Sequence, residues 1–256
     1  MFPLLQHLKK LTLKCSFIIP FIKIKFDLHN ILKLKESLNY SLNYNKEIKF
    51  MYNFIKKRFI NRELNNIYSN NFNKNGTNPS SVFWNSKYNQ IKRFEEILDL
   101  LLSLSKKKVI NIADVGCGYG AMYQFISSRK KYKNIDYQGI DINENFIRYC
   151  KKFISKNCFY LGFSSKHIVD FSIMSGTYNY TTINDINFWE NYIFENLSRC
   201  LKKSKVGIIF NLQYSIPAKI INNIFYADPE KIKSRFNLNH YSFEYKKSKY
   251  FKHLDK

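Results

Sequence analysis

The residues best suited to chemistry stand together in Asp114-Val115-Gly116-Cys117-Gly118-Tyr119-Gly120. Glycine is scarce, eight in 256 residues, yet three fall between positions 116 and 120. A plain turn needs only one. Glycine permits φ > 0 and, without a Cβ, lets the main chain approach a ligand closely. A helix opening just beyond adds unpaired N–H groups and a positive dipole end. Two carboxylates belong to the same pattern: Asp114 precedes the loop, and Asp141 follows 27 positions later at the end of the next apolar run. A carboxylate at such a strand end accepts hydrogen bonds from both hydroxyls of a ribose, which points to a nucleoside ligand. Gly116-x-Gly118-x-x-Ala121 formally satisfies the dinucleotide fingerprint, so a nicotinamide dehydrogenase is one reading. Against it, Asp114 would sit beside a pyrophosphate. A ligand carrying positive charge suits that carboxylate better.

Regular elements must hold these groups in place. The β-branched run 108–115 reads as a buried parallel strand leading into the glycine loop. A helix over 121–131 follows, with Met122, Phe125 and Ile126 on one face. A second strand covers 137–142, and Asn143 caps a helix whose Phe146, Ile147, Cys150, Phe153 and Ile154 form one stripe. Strands are also predicted at 158–161, 169–174 and 206–212, with a helix over 187–202 between the last two. Upstream, Ile91, Phe94, Ile97, Leu98 and Leu101 give 84–104 a helical period. Strands alternating with helices imply a doubly wound α/β sheet, mostly parallel. Residues 51–106 then form a helical cap and 107–256 the Rossmann-like core.

Composition narrows the classes. Hydrophobic residues are 45% and charged residues 24%, the balance of a globular chain. No apolar run approaches the roughly 20 residues that span a bilayer. Five cysteines without a CxxC pair argue against a disulfide scaffold or a metal site, and place the chain in a reducing, cytoplasmic setting. The net charge of +23 suggests a polyanion as partner. Only seven of the 42 basic residues are Arg, however, and the chain is rich in Asn, Ile, Tyr and Phe, all encoded by A/T-rich codons. Compositional bias therefore accounts for the lysine excess, and nucleic acid is not the favoured partner. Residues 1–50 hold nine Lys and no Arg or Gly. They are expected to be a dispensable, flexible extension ahead of Met51, a basic membrane-surface or targeting arm being the alternative.

The glycine loop closely resembles the S-adenosylmethionine (AdoMet) loop of class I methyltransferases: an acidic residue, one spacer, then G-x-G-x-G. The flanks resemble a family of small bacterial members. Tyr68, Gly76, Trp84, Gln90, Arg93 and Phe94 match its pattern ahead of the first strand. Asp170-Phe171-Ser172-Ile173-Met174-Ser175-Gly176-Thr177-Tyr178-Asn179 matches its fourth-strand segment, and Trp189, Phe210-Asn211 and Tyr226-Ala227-Asp228-Pro229 follow in order. The resemblance implies a seven-stranded class I methyltransferase fold. It implies AdoMet as cofactor, held by Asp114, Gly116, Cys117, Gly118, Gly120, Asp141, Ile142, Ser175 and Gly176. No acidic residue follows the third strand, so Phe163 is expected to pack on the adenine. After Pro229 only 27 residues remain: a helix capped by Asp228, then 237–241 and 243–251 as the final strand pair. Candidate bases are Tyr178, Tyr214, Asp228 and His240, with packing, capping or strand roles as their plainer readings. The function implied is AdoMet-dependent methyl transfer to a small-molecule or glycan-like acceptor, no metal being required. RNA as acceptor, or an AdoMet-binding protein without catalysis, are the alternatives.

Overall fold

The computed structural model describes residues 46–237, 241–245, 247, 248 and 250. The chain divides into two units, residues 1–56 and 57–256. In the first, the described residues 46–56 are helical.

Five strands build the main sheet: β1 (Ile110–Val115), β2 (Ile135–Asp141), β3 (Phe159–Leu161), β4 (Val169–Met174) and β5 (Ser204–Phe210). Their order is β3-β2-β1-β4-β5, every pair parallel. Strand order reverses between β1 and β4, the switch point outside whose carboxyl ends such sheets bind ligands. Helices cover both faces, as the alternation of elements predicts. One face buries α2 (Lys87–Leu104), α3 (Ala121–Ser127) and α4 (Glu144–Phe153) against Ile110, Ile112, Phe159 and Phe171. The other buries Ile60 and Leu64 of α1 (Lys46–Asn75), α5 (Ile186–Leu201) and α6 (Pro229–Asn237) around Val115, Met174 and Trp189.

Local chemistry sets the boundaries. Ser86 accepts a bond from the Asn89 N–H (3.1 Å) and so starts α2 at Lys87, three residues inside the predicted start. Asn143 caps α4 as read from the sequence, accepting from the N–H groups of Asn145 (3.0 Å) and Phe146 (3.3 Å). Asp228 likewise accepts from Glu230 (3.0 Å) and Lys231 (3.3 Å) at the start of α6. Asp170 braces the far end of β4. Burial alone would raise its carboxyl, but the Lys107 ammonium and the Asn111 N–H hold it below the ordinary carboxylate range.

Among the described residues the main sheet has five strands, so the expected seven are not confirmed. Three further strands, β6 (Gln213–Tyr214), β7 (Lys219–Ile221) and β8 (Ile224–Ala227), form a separate small sheet in the order β6-β8-β7. They lie ahead of Pro229, whereas the final strand pair is expected after it, at 237–241 and 243–251. Asn237 is helical, and the described residues between 241 and 250 carry no strand. The small sheet props the loop after β4: the Phe225 N–H donates to the Asn179 carbonyl (2.7 Å) and the Thr181 N–H to that of Asn223 (2.8 Å).

Candidate active site

A crevice opens at the carboxyl ends of β1, β2 and β4. Its wall includes Asp114, Gly116, Cys117 and Gly118 from the first βα turn, Asp141 and Ile142 after β2, Phe163 after β3, and Ser175 and Gly176 after β4. Nine of the ten residues expected to hold the cofactor therefore meet in one place. Gly120 does not line it. A Cβ there would meet Ile154 Cδ1 at 2.7 Å and Phe159 Cζ at 3.2 Å, so its backbone is pressed into the core behind the loop.

Four of the five loop amides are committed internally. The N–H groups of Gly116 and Cys117 both donate to the Ile140 carbonyl (2.7 and 3.1 Å), and that of Gly120 to the Cys117 carbonyl (3.1 Å). The Gly118 N–H donates to Asp141 Oδ2 (2.9 Å). A pyrophosphate needs free donors at these positions, so this turn is unlike a phosphate cradle.

Two buried carboxylates dominate the electrostatics. Asp114 is held by the Tyr137 hydroxyl, 2.6 Å from Oδ2. Burial pushes its carboxyl up to about 7, against the pull of that hydrogen bond and with the charge of Asp141 adding to the rise. Burial likewise raises Asp141 to about 6, opposed by the backbone N–H groups of Asn143, Gly118 and Ile142. Among the described residues no Lys, Arg or His pairs with either carboxylate, and none lines the crevice. For a chain of net charge +23 this is a marked local inversion. The buried Ser175 Oγ and Asn65 Oδ1, both on crevice residues, have no hydrogen-bond partner among the described residues. Uncompensated buried polar groups of this kind are costly unless a ligand meets them.

An aromatic wall closes the opposite side. The rings of Phe83 and Tyr180 stack at 4.7 Å and 3°, with Tyr68 edge-on at 5.2 and 6.1 Å and Trp84 beside them. Phe83 takes a left-handed backbone (φ 61°), a strain that ring packing must offset. Asn143 ties this wall to α4, its Nδ2 donating to the Asn65 carbonyl and to Ser69 Oγ, both 3.0 Å.

The candidate bases separate. Tyr178 lines the crevice, but burial drives its hydroxyl well above the ordinary phenol range, so it stays protonated. Tyr214 on β6 and Asp228, the α6 cap, are not among the lining residues. His240 lies outside the described residues. Tyr137 and Asn65 carry no role in the sequence reading, and Asn143 only that of a helix cap. Tyr137 becomes visible only through register, since Asp114 pairs with Gly139 and Tyr137 lies diagonally beside it.

Residues 112–204, from β1 to the first residue of β5, match the family profile described as a methyltransferase domain. The chain carries a methyltransferase domain. Over 124 residues it is 29% identical to a Mycobacterium tuberculosis protein named "Putative methyltransferase Rv1506c", covering 46% of this chain and 74% of that one. Among solved structures it is similar to the plantazolicin methyltransferase BpumL in complex with a triazolic desmethylPZN analog and SAH (26% identity, 58% of this chain, TM-score 0.36). The chain spans about half, 52%, of that enzyme's length. It is also similar to magnesium protoporphyrin IX methyltransferase from Synechocystis PCC 6803 with bound SAM (11% identity, 61% of this chain, 71% of that one, TM-score 0.42). The matched segment contains both carboxylates, the whole glycine loop and Tyr180, while Tyr68, Phe83 and Trp84 of the aromatic wall come from outside it, from α1 and the turn before α2.

Proposed function

We propose that the crevice binds AdoMet and transfers its methyl group to a small acceptor that is uncharged or cationic. The observation carrying this reading is the pair of buried carboxylates, Asp114 and Asp141, facing a crevice without a basic side chain among the described residues. A ligand bringing its own positive charge supplies what this site lacks. Asp114 would take the ammonium of AdoMet. Asp141, whose two oxygens offer about four lone pairs to three backbone N–H groups, keeps acceptor capacity and would take the ribose hydroxyls. Ile142 and Phe163 would flank the base, and the unpartnered Ser175 Oγ would serve the amino-acid end.

AdoMet supplies a methyl group already activated by its sulfonium. The protein's own share is orientation and exclusion of water, which is worth about 7–11 kcal/mol when reacting atoms are aligned. No lining residue needs to act as a strong base. The stacked rings of Phe83 and Tyr180, with Tyr68 and Trp84, offer a flat face to a planar ring, a sugar face or an amine cation. The same lack of basic residues disfavours RNA as acceptor, because among the described residues no Lys or Arg of the wall meets a phosphate.

Calorimetry with AdoMet tests the cofactor, and methyl-labelled AdoMet with pooled amines, phenols and glycans tests transfer. Wild type should bind AdoMet and not NAD, and Asp141→Ala should weaken binding by tenfold or more, since hydrogen bonds to a charged group contribute about 1.5–3 kcal/mol. Unchanged affinity in Asp141→Ala overturns the site assignment. Binding without transfer to any pool leaves the domain a cofactor-binding scaffold.

A further inference from the structure

The basic charge of the fold is sorted along the strand axis. At the carboxyl ends, the turns spanning residues 116–120, 142–145, 161–165, 175–185 and 211–218 contain neither Lys nor Arg. At the amino ends the pattern reverses. Lys106-Lys107-Lys108 lead into β1 and Lys130-Lys131-Tyr132-Lys133 into β2. Lys156 and Lys166 precede β3 and β4, and Lys202-Lys203-Ser204-Lys205 open β5. In a parallel sheet these segments share one edge. Four inter-strand spacings make it a strip on the order of 20 Å long. Among the described residues, ion pairs take up only Lys107, with Asp170, and Lys131, with Asp99. A codon bias adds lysines; it does not sort them to one end.

The same edge exposes apolar side chains. Leu104, Val109, Phe153, Ile168 and Val206 each stand at or beside the start of a strand or the end of the helix before it, with 51–63% of their surface accessible. A charged rim whose only task was to complement helix ends would not need them. Basic side chains interleaved with exposed aliphatics and a phenylalanine are the chemistry of a surface that meets lipid head groups: point charges attract phosphates while the apolar groups enter the interface. A nucleic-acid surface would lean on bidentate Arg and stacking aromatics instead. Among the described residues no helix is long and apolar enough to cross a membrane.

We infer that the amino-end edge of the sheet docks on an anionic bilayer surface, leaving the crevice at the opposite end open to solution. The docking is peripheral and reversible, and does not depend on what the crevice methylates.

Co-sedimentation of the full chain with vesicles tests this, using phosphatidylcholine alone or with about one-third phosphatidylglycerol. Binding should require the anionic lipid and weaken with salt. The exposed residues Lys106, Lys130 and Lys205, changed together to Glu, should lower the partition coefficient about 100-fold, each lysine near the surface counting for about tenfold or less. A matched triple change of Lys74, Lys87 and Lys233 to Glu, away from the edge, should lower it by less than about fivefold. Phe153→Ser should reduce the part of the binding that survives added salt. Far-UV circular dichroism keeps the comparison among folded variants. Equal losses in the two triple variants, or no loss in the edge variant because residues 1–50 suffice, overturn the proposal. So does an edge variant that keeps vesicle binding and loses binding to a single-stranded RNA.

Discussion

At the scale of single residues, Asp114 and Asp141 are in conflict with their surroundings, and the conflict has a sign that can be measured. Their carboxyls titrate near 7 and 6 in the fold, above the ordinary value of about 4 in an unfolded chain. The folded state therefore holds protons that the unfolded state releases. This contribution to stability is full below about pH 4 and is lost as pH rises through about 6 and 7. A cationic ligand reverses the preference, since it favours the ionised forms and expels the protons. AdoMet affinity should rise on the order of tenfold between about pH 5 and pH 7, while the ligand-free melting temperature falls relative to that of Asp114→Asn over the same range. Tyr137→Phe removes the hydroxyl that holds Asp114 charged, so the affinity profile should move to higher pH. Calorimetry in buffers of different ionisation enthalpy reads the released protons directly. An affinity independent of pH would mean that neither carboxylate meets the cation.

At the scale of elements, two glycines of one loop do different work, and substitution should separate them. Both need a positive φ, 54° at Gly118 and 80° at Gly120. A Cβ on Gly118 meets only the end of Val82, at 3.2 Å, beside the crevice, whereas one on Gly120 meets Ile154, Cys150 and Phe159 in the core. Gly120→Ala should lower the melting temperature by several degrees through strain and overpacking of about 2–4 kcal/mol. Gly118→Ala should cost less stability and more AdoMet affinity; thermal denaturation and calorimetry on the two variants check the split. Periodicity alone could not distinguish them, because all three glycines share one spacing. What the sequence did carry were the features fixed by local chemistry: the buried run of β4 at 169–174, the Asn143 cap of α4 and the Asp228 cap of α6. The small sheet was missed because its strands hold only two to four residues. Its one local signal is Asn222-Asn223, both at positive φ (49° and 64°), between Ile221 and Ile224, a pair suited to a tight hairpin. The register that brings Tyr137 to Asp114 had no local signal at all.

At the scale of the molecule, sorting lysines to one edge carries a cost that a free-standing fold has no reason to keep. Like charges crowded on a surface destabilise the compact state through self-repulsion, and nine of the eleven edge lysines form no ion pair among the described residues, although Lys205 is near enough to Asp170 to help hold its carboxyl down. A competing view makes them caps that complement helix dipoles. That effect is confined to the last helical turn, and Lys106, Lys130 and Lys205 lie past the ends of α2, α3 and α5, at Leu104, Ser127 and Leu201. Repulsion should therefore win at Lys106 and Lys130, and over the three together outweigh the attraction of Lys205 for Asp170. Changing them together to Glu should raise the melting temperature at low salt by about 2–4 °C, equivalent to on the order of 1 kcal/mol. Added salt should shrink the difference, because screening relieves the wild-type edge over distances beyond about 8 Å. A variant that melts lower than wild type at low salt would mean that the lysines are retained as caps for the helices. A variant that gains stability while losing vesicle binding would show stability given up for a surface that something else must cover.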